Sequence, residues 1–264
     1  VSIKLHEIEA YLVDIDGVLL RGAQVLPGAV NFLKLLRARR RPFRIVTNNS
    51  TRTPAEYAAH LTRAGVTVSA REVLTSAVVT GAALAKTRPA ARVFVIGSPA
   101  LHTVLTEHGL VCTDDDTRAD VVVVGLDREL RYERLARAAL AVQRGAHFVA
   151  TNADTSFPTE RGLEPGAGAI VAALHATTGV TPEVFGKPEP AMFRVGVEQV
   201  ERAAGRVAIV GDRLDTDVAG GKRAGLVTIA VATGVTPFEA FEHGKPLPDH
   251  RFRSIQDLCR ALGG

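Results

Sequence analysis

Two aspartates, Asp14 and Asp16, flank a single isoleucine and stand directly before Gly17, at the end of the apolar run Tyr11-Leu12-Val13. An apolar run ending in a glycine reads as a buried strand followed by a sharp turn. Both carboxylates then lie at the carboxyl edge of a sheet, where open α/β folds place their ligands. Two negative charges so close cost free energy unless a cation, a shared proton or the reaction itself compensates. The plainer alternative is a polar loop that begins with Asp-x-Asp.

Three further segments pair an apolar run with reactive residue types. Phe43-Arg44-Ile45-Val46 runs into Thr47-Asn48-Asn49-Ser50. A hydroxyl and two amides at a strand end, ahead of a helix, can grip an anion through side-chain donors and free backbone N–H groups. The same residue types also serve as a plain helix N-cap cluster. Lys187 stands between Gly186 and Pro188, and the proline restricts it to an extended backbone, so its ammonium sits on a stiff mount. After Val207-Ala208-Ile209-Val210 come Gly211 and three acids, Asp212, Asp215 and Asp217. Hard divalent cations choose oxygen ligands, and Mg²⁺ takes one or two carboxylates while keeping water and substrate oxygens. Asp212, at the strand exit, is the best-placed ligand. Asp217 suits holding a metal-bound water or orienting its neighbours, and Asp215 suits capping the next helix.

These segments need strands and helices to carry them. Strand-like runs fall at Tyr11–Asp14, Phe43–Thr47, Arg92–Ile96, Val121–Val124, His147–Ala150, Arg206–Val210 and Val227–Val231. Helical 3–4 spacing of apolar residues falls at Gly28–Ala38, Pro54–Ala64, Tyr132–Gln143, Gly168–Thr177, Ala191–Gln199 and Asp217–Ala224. The alternation predicts an α/β architecture. Pro27 and Pro54 suit helix starts, and Asp217 suits a first helical turn. The pattern breaks at Thr87-Arg88-Pro89-Ala90-Ala91 and again at Thr178-Gly179-Val180-Thr181-Pro182. Between the breaks lies a self-contained α/β segment, read as a second domain inserted into the first.

Composition narrows the class. With 264 residues, 46% hydrophobic and 23% charged, the chain reads as an ordinary globular protein. No apolar run approaches the ~20 residues that cross a bilayer, and Val1–Glu7 lacks the apolar core of a signal peptide. Cys112 and Cys259 are too few for a disulfide framework and lack metal-site spacing, so the cytoplasm is the expected compartment and no membrane partner is expected. The +4 charge is scattered apart from Arg37, Arg39, Arg40 and Arg41, which read as the cationic end of a helix. Aromatic content of 5% gives no stacking platform for nucleic acid, and no nucleic-acid partner is expected.

Taken in order, Asp-x-Asp-Gly-Val, Thr-Asn-Asn-Ser, Gly-Lys-Pro and Gly-Asp-Arg-x-x-Thr-Asp resemble the motifs of the haloacid dehalogenase (HAD) phosphohydrolase superfamily. The pattern is similar to its NagD-like, p-nitrophenylphosphatase-like subgroup with a type-2 cap, subfamily IIA. The resemblance implies a Rossmann-like doubly wound parallel sheet core from residues 1–87 and 182–264, with an inserted α/β cap at 88–181. It also implies Mg²⁺-dependent hydrolysis of a small phosphorylated metabolite through an aspartyl-phosphate. Asp14 is then the nucleophile and Asp16 the general acid/base. Thr47 and Lys187 hold the phosphoryl oxygens, with Asn48 and Asn49 beside them on the substrate. The metal is held by Asp14, Asp212 and the backbone carbonyl of Asp16, with Asp217 outside its direct ligands. Self-association is left open.

Within the cap, Ala150-Thr151-Asn152-Ala153-Asp154 and Pro165-Gly166-Ala167-Gly168-Ala169 also resemble the subgroup, the plainer alternative being a strand end and a glycine-rich helix entry. Phe157 aligns where phosphatases of pyridoxal phosphate carry a histidine, and an apolar ring cannot make that hydrogen bond. Thr159–Leu163 can contact a leaving group or form a solvated loop, the latter being the plainer expectation. Asp114-Asp115-Asp116 reads as a solvated loop, and His102 with His108 is wrongly spaced for one metal-binding helix face. Glycerol phosphate, phosphoglycolate, sugar phosphates and nucleoside monophosphates all stay open as substrates. Dehalogenation of 2-haloacids needs no leaving-group acid, so Asp16 and the metal site argue against it. A non-catalytic phosphometabolite-binding protein on the same fold is the alternative from another class, favoured only if a motif residue were replaced.

Overall fold

Every residue of the Ala10–Asp14 strand is buried, as an unbroken apolar run requires of a strand covered on both faces. Tyr11 and Val13 join the cluster that holds Phe32, Leu33 and Leu36 of the Ala29–Ala38 helix. Tyr11 meets Phe32 edge-on, with ring centroids 5.6 Å apart. Leu12 points to the opposite face, where a Cβ at Gly196 would stand 2.8 Å from its side chain, so the Pro190–Val200 helix packs closely there.

The structure, a computed structural model, describes residues 3–159 and 161–263. The chain forms two units, one from Val1–Thr47, Pro54–Leu74 and Lys187–Gly264, the other from Asn48–Thr53 and Thr75–Gly186. In the first unit the sheet order is His250–Phe252, Val227–Val231, Val207–Gly211, Ala10–Asp14, Phe43–Thr47, Val73–Thr75. Ala10–Asp14 pairs in parallel with both neighbours, Val13 lying opposite Val210 on one side and Ile45 on the other. The chain leaves this strand to one side and later returns on the other. That reversal makes a topological switch point at the carboxyl end of the strand, where Asp14 sits.

In the second unit the order is Glu183–Val184, His147–Ala150, Val121–Val124, Arg92–Ile96, Val111–Cys112, with each neighbouring pair parallel. Phe94, Val122 and Phe148 pack with Ala138 and Val142 of the Tyr132–Gln143 helix and with Leu174 of the Ala167–Thr178 helix. The mixed α/β architecture with parallel sheets is the one expected. Among the described residues, no helix is long and apolar enough to cross a membrane.

Several local expectations need correction. Pro27 does not open a helix; Gly28, at φ +89°, is the N-cap and the helix begins at Ala29. Asp217 lies in the wide turn Leu214–Val218 rather than in the first turn of the Ala219–Arg223 helix. Asp114-Asp115-Asp116 keeps its solvated character at Asp114, whose side chain is 83% exposed, and departs from it at Asp116. Asp114 pairs with Arg134 at 2.8 Å, and Asp116, with 12% of its side chain exposed, pairs with Arg137 at 2.7 Å and with Arg144. The segment around Thr159–Leu163 is a hairpin of Ser156–Thr159 with Gly162–Pro165, closed by an Arg161–Glu164 ion pair; Glu160 lies outside the described residues. The helices Pro99–Glu107 and Ile255–Ala261 were not anticipated.

Candidate active site

The Ala10–Asp14 and Val207–Gly211 strands end side by side, so their exit residues Asp14 and Asp212 come together with Asp217. One carboxylate oxygen from each of the three lies within 4.8 Å of the others. All three residues are buried, at 7%, 2% and 1% exposure respectively. Gathering three acids in so little water needs a counter-charge, and Lys187 supplies one. Its ammonium stands 2.7 Å from Asp14 Oδ1 and 2.7 Å from Asp217 Oδ1, itself only 4% exposed. The Lys187–Pro188 bond is cis.

The electrostatics follow from burial. Desolvation pushes the Asp14 carboxyl well above its ordinary range; Lys187 opposes this, while Asp217, Asp212 and Asp16 add to it. Asp212 is pushed up to about 6 by burial and by Asp217, against a hydrogen bond from the backbone of Val235. For Lys187 burial alone would lower the pKa, yet Asp14 and Asp217 hold it above its ordinary value. One ammonium among three carboxylates leaves the cluster short of positive charge. The donors are all hard carboxylate oxygens, so the site fits a divalent metal ion.

Backbone geometry fixes Asp212 in place. Val235 N–H donates to its Oδ2 at 2.6 Å. Gly17, at φ +77°, and Gly234 pack directly on the carboxyl: a Cβ at Gly17 would stand 2.7 Å from Asp212 Cγ, and one at Gly234 would collide with Oδ2. Thr233 Oγ1 donates to Gly17 O at 2.5 Å, tying the two glycine turns together. Sequence reasoning passes over Thr233, Gly234 and Val235; the signal was a glycine just beyond the apolar strand Val227–Val231.

The remaining candidates separate. Asp16 follows in the turn after the strand, is exposed, and stands outside the carboxylate cluster. Thr47 is buried at the end of the Phe43–Thr47 strand. Asp215 is drawn to Arg213 at 2.6 Å, with 68% of its side chain exposed, and does not join the cluster. Asn48 and Asn49 belong to the second unit. Asn48 Nδ2 donates to Asp154 Oδ2 at 3.0 Å, and its carbonyl accepts from Ser76 Oγ at 2.6 Å and Asn152 Nδ2 at 2.8 Å. Asn49 Oδ1 accepts from Thr51 N at 2.8 Å and Thr51 Oγ1 at 2.7 Å, a side-chain-closed turn. The Phe157 ring carries the Arg128 guanidinium at 4.9 Å from its centroid.

A family model described as haloacid dehalogenase-like hydrolase matches residues 11–111, and a second HAD-hydrolase-like model matches residues 184–258. An acid sugar phosphatase of Staphylococcus saprophyticus is 41% identical over 258 residues, covering 98% of this chain and 99% of the relative. The chain belongs to the haloacid dehalogenase-like hydrolases. Among solved structures, this HAD-like hydrolase is similar to the 4-nitrophenylphosphatase of Thermotoga maritima, with TM-score 0.92 and 37% identity over 97% of this chain and 98% of that one. It also resembles the glycerol phosphate phosphatase of Mycobacterium tuberculosis in complex with calcium, with TM-score 0.89 and 39% identity over 96% of this chain and 75% of that one. These neighbours fit the NagD-like subfamily IIA that the motifs indicated.

Proposed function

We infer that this HAD-like phosphatase of small phosphorylated substrates works through Asp14 as nucleophile and Asp16 as general acid/base, with Mg²⁺ as its ion. The observation that carries the reading is the Lys187 ammonium held 2.7 Å from both Asp14 and Asp217, inside a buried three-carboxylate cluster at the switch point of a parallel sheet. Such a cluster is costly as structure alone and useful where an anionic phosphoryl group must meet an anionic nucleophile.

Asp14 attacks phosphorus, an Asp14–phosphorus bond forms, and the bond to the leaving oxygen breaks. Asp16, exposed in the turn two residues on, gives that oxygen its proton. It then takes a proton from the water that hydrolyses the aspartyl-phosphate, each transfer being worth ~10²–10⁴-fold. Splitting the reaction at Asp14 replaces one hard step by two easier ones. Thr47 and Lys187 bind the phosphoryl oxygens, and Asn48 and Asn49 assist on the substrate. Asp14, Asp212 and the backbone carbonyl of Asp16 would hold the ion, whose charge would offset that spreading over the phosphoryl oxygens. Asp217 already has one oxygen on Lys187 at 2.7 Å and the other on Arg213 N at 3.3 Å. Both engagements support a positioning role for it outside the direct ligands.

In this reading the first unit is the hydrolase core, its limits drawn in from the expected 87 and 182 to Leu74 and Lys187, and the inserted segment 88–181 sets which leaving group is accepted. The protein acts in the cytoplasm on small metabolites, and no nucleic-acid or membrane partner is part of the reading. The test is phosphate release from a panel of phosphomonoesters with Mg²⁺ present. Release from one or more, abolished by chelation, is expected; a folded, Mg²⁺-loaded protein that cleaves none of them would sink the reading.

A further inference from the structure

At the opposite edge of the first unit's sheet, where the Phe43–Thr47 strand begins, a cleft of about 510 Å³ is lined by five arginines, Arg37, Arg40, Arg41, Arg44 and Arg202. Two glutamates, Glu72 and Glu201, also line it. Part of this charge has a structural task. Arg37 pairs with Glu72 at 3.0 Å, and Arg202 faces Glu9 at 3.7 Å. The Ala29–Ala38 and Pro190–Val200 helices both end here, and each end carries about half a negative charge. Arg44 answers one of them by donating to Gln199 O at 2.8 Å.

The remainder exceeds that task. Among the described residues Arg40, Arg41 and Arg44 make no ion pair, against one unpaired lining carboxylate, Glu201. Arg41 and Arg44 are nevertheless held still by neutral carbonyls, Arg41 by His6 O at 3.0 Å and Arg44 by Phe43 O at 2.9 Å. Arg40 has no hydrogen-bond partner through its side chain among the described residues and sits at φ +53°. It ends the Ala29–Ala38 helix in a turn in which Arg40 N donates to Arg37 O and Arg41 N to Leu36 O, a place where glycine is the unstrained choice. Glu201, at φ +54°, holds the same left-handed conformation across the cleft. Side chains kept in that region against their backbone preference cluster at ligand sites.

We propose that this cleft is a binding site for the oligophosphate group of a small molecule, separate from the carboxylate cluster. Guanidinium forks match phosphate oxygens two at a time. Carbonyl anchoring leaves Arg41 and Arg44 positioned without a directly paired carboxylate, Arg44 feeling Glu72 and Glu201 only through space, and a volume of about 510 Å³ falls in the ~300–1,000 Å³ range of small-molecule sites. Three unpaired cations spread over residues 40–44 call for a ligand with several negative charges, as a di- or triphosphate has. The five-residue strand separates the cleft from Thr47 by roughly 15 Å. The inference does not depend on the reaction.

The test is calorimetric titration of the 264-residue chain, with chelator and at low salt, using tripolyphosphate, ATP and AMP as probes. Arg40→Gly is the decisive variant, since glycine relieves the left-handed backbone while removing the guanidinium. We expect saturable tripolyphosphate and ATP binding, weakened about tenfold in Arg40→Gly and further in Arg40→Gly/Arg41→Gln, with a raised melting temperature for Arg40→Gly and unchanged phosphate release. ATP binding more tightly than tripolyphosphate assigns the site to nucleotides, and equal affinity assigns it to bare oligophosphates; both support the proposal. Affinities that survive both variants, AMP binding as tightly as ATP, or no saturable binding at all would overturn it.

Discussion

Lys187→Met removes the only buried lysine or arginine among the described residues, together with both of its 2.7 Å contacts. At an effective dielectric of about 20 each contact is worth about 6 kcal/mol of Coulomb energy, much of it offset by desolvation of the ammonium. The net cost of stripping one partner from a buried cluster is about 3–5 kcal/mol. The cost should depend on pH. In the metal-free protein Asp212 is held up at about 6 against an ordinary 3.8, so the folded state binds this proton more tightly than the unfolded one. Its contribution is therefore fully present below 3.8 and is lost as pH rises through about 6. Without Lys187, Asp14 and Asp212 move higher still, so the variant should lose most stability near about pH 7 and least near about pH 5, where a carboxyl can take up the missing proton. The assay is urea unfolding with chelator at both pH values, for wild type, Lys187→Met and Lys187→Met/Asp217→Asn. The double variant removes a charge of each sign and should recover about half of the loss or more. Equal costs at the two pH values, or a double variant no better than the single one, would refute the reading of Lys187 as the counter-charge of the cluster.

Asp14→Asn should abolish phosphate release from p-nitrophenyl phosphate while circular dichroism stays that of the wild type; a folded variant with near wild-type turnover would exclude covalent attack by Asp14. Asp212→Ala should raise the Mg²⁺ concentration needed for half-maximal activity strongly, and Asp215→Ala, whose partner is Arg213, only slightly; equal effects would mean that the ligand is misassigned. Phe157→His should change the ratio of kcat/KM values across a panel of phosphomonoesters, by about 1–3 kcal/mol for a lost apolar contact, and leave Mg²⁺ dependence alone. An unaltered ranking would move the specificity determinants out of this hairpin.

The acids that end apolar runs were readable because burial of a strand and polarity of its exit are both local properties. Asp14 and Asp212 follow from that logic, and adjacency of their strands is what the parallel register supplies. Asp217 shows the limit. Its own neighbourhood reads as a helix start, yet its place is set by Lys187, thirty residues away in sequence. Asp116 departs from its solvated neighbours for the same reason, since the arginines that neutralise it lie on the Tyr132–Gln143 helix, at Arg137, and just beyond it, at Arg144. The Ile255–Ala261 helix did carry a local signal. Ser254 Oγ accepts from Asp257 N at 3.1 Å, and Ile255, Leu258 and Cys259 are buried on one face. Pro27 was misplaced because proline tolerates the position before a cap as readily as the first helical turn, and only the left-handed backbone of Gly28 decides between them.

The slot around Asp212 has a meaning for how this protein can vary. Gly17 and Gly234 bring no side chain to the site, yet a single added carbon at either place would run into the Asp212 carboxyl. A scan of every substitution at every position, selected for turnover, should therefore come out as empty at these two glycines as at the aspartates themselves. A reader of that map alone would count them as reactive. They are instead the walls of a mould, and what selection would preserve there is the lack of a side chain, in room that the Asp212 carboxyl already fills.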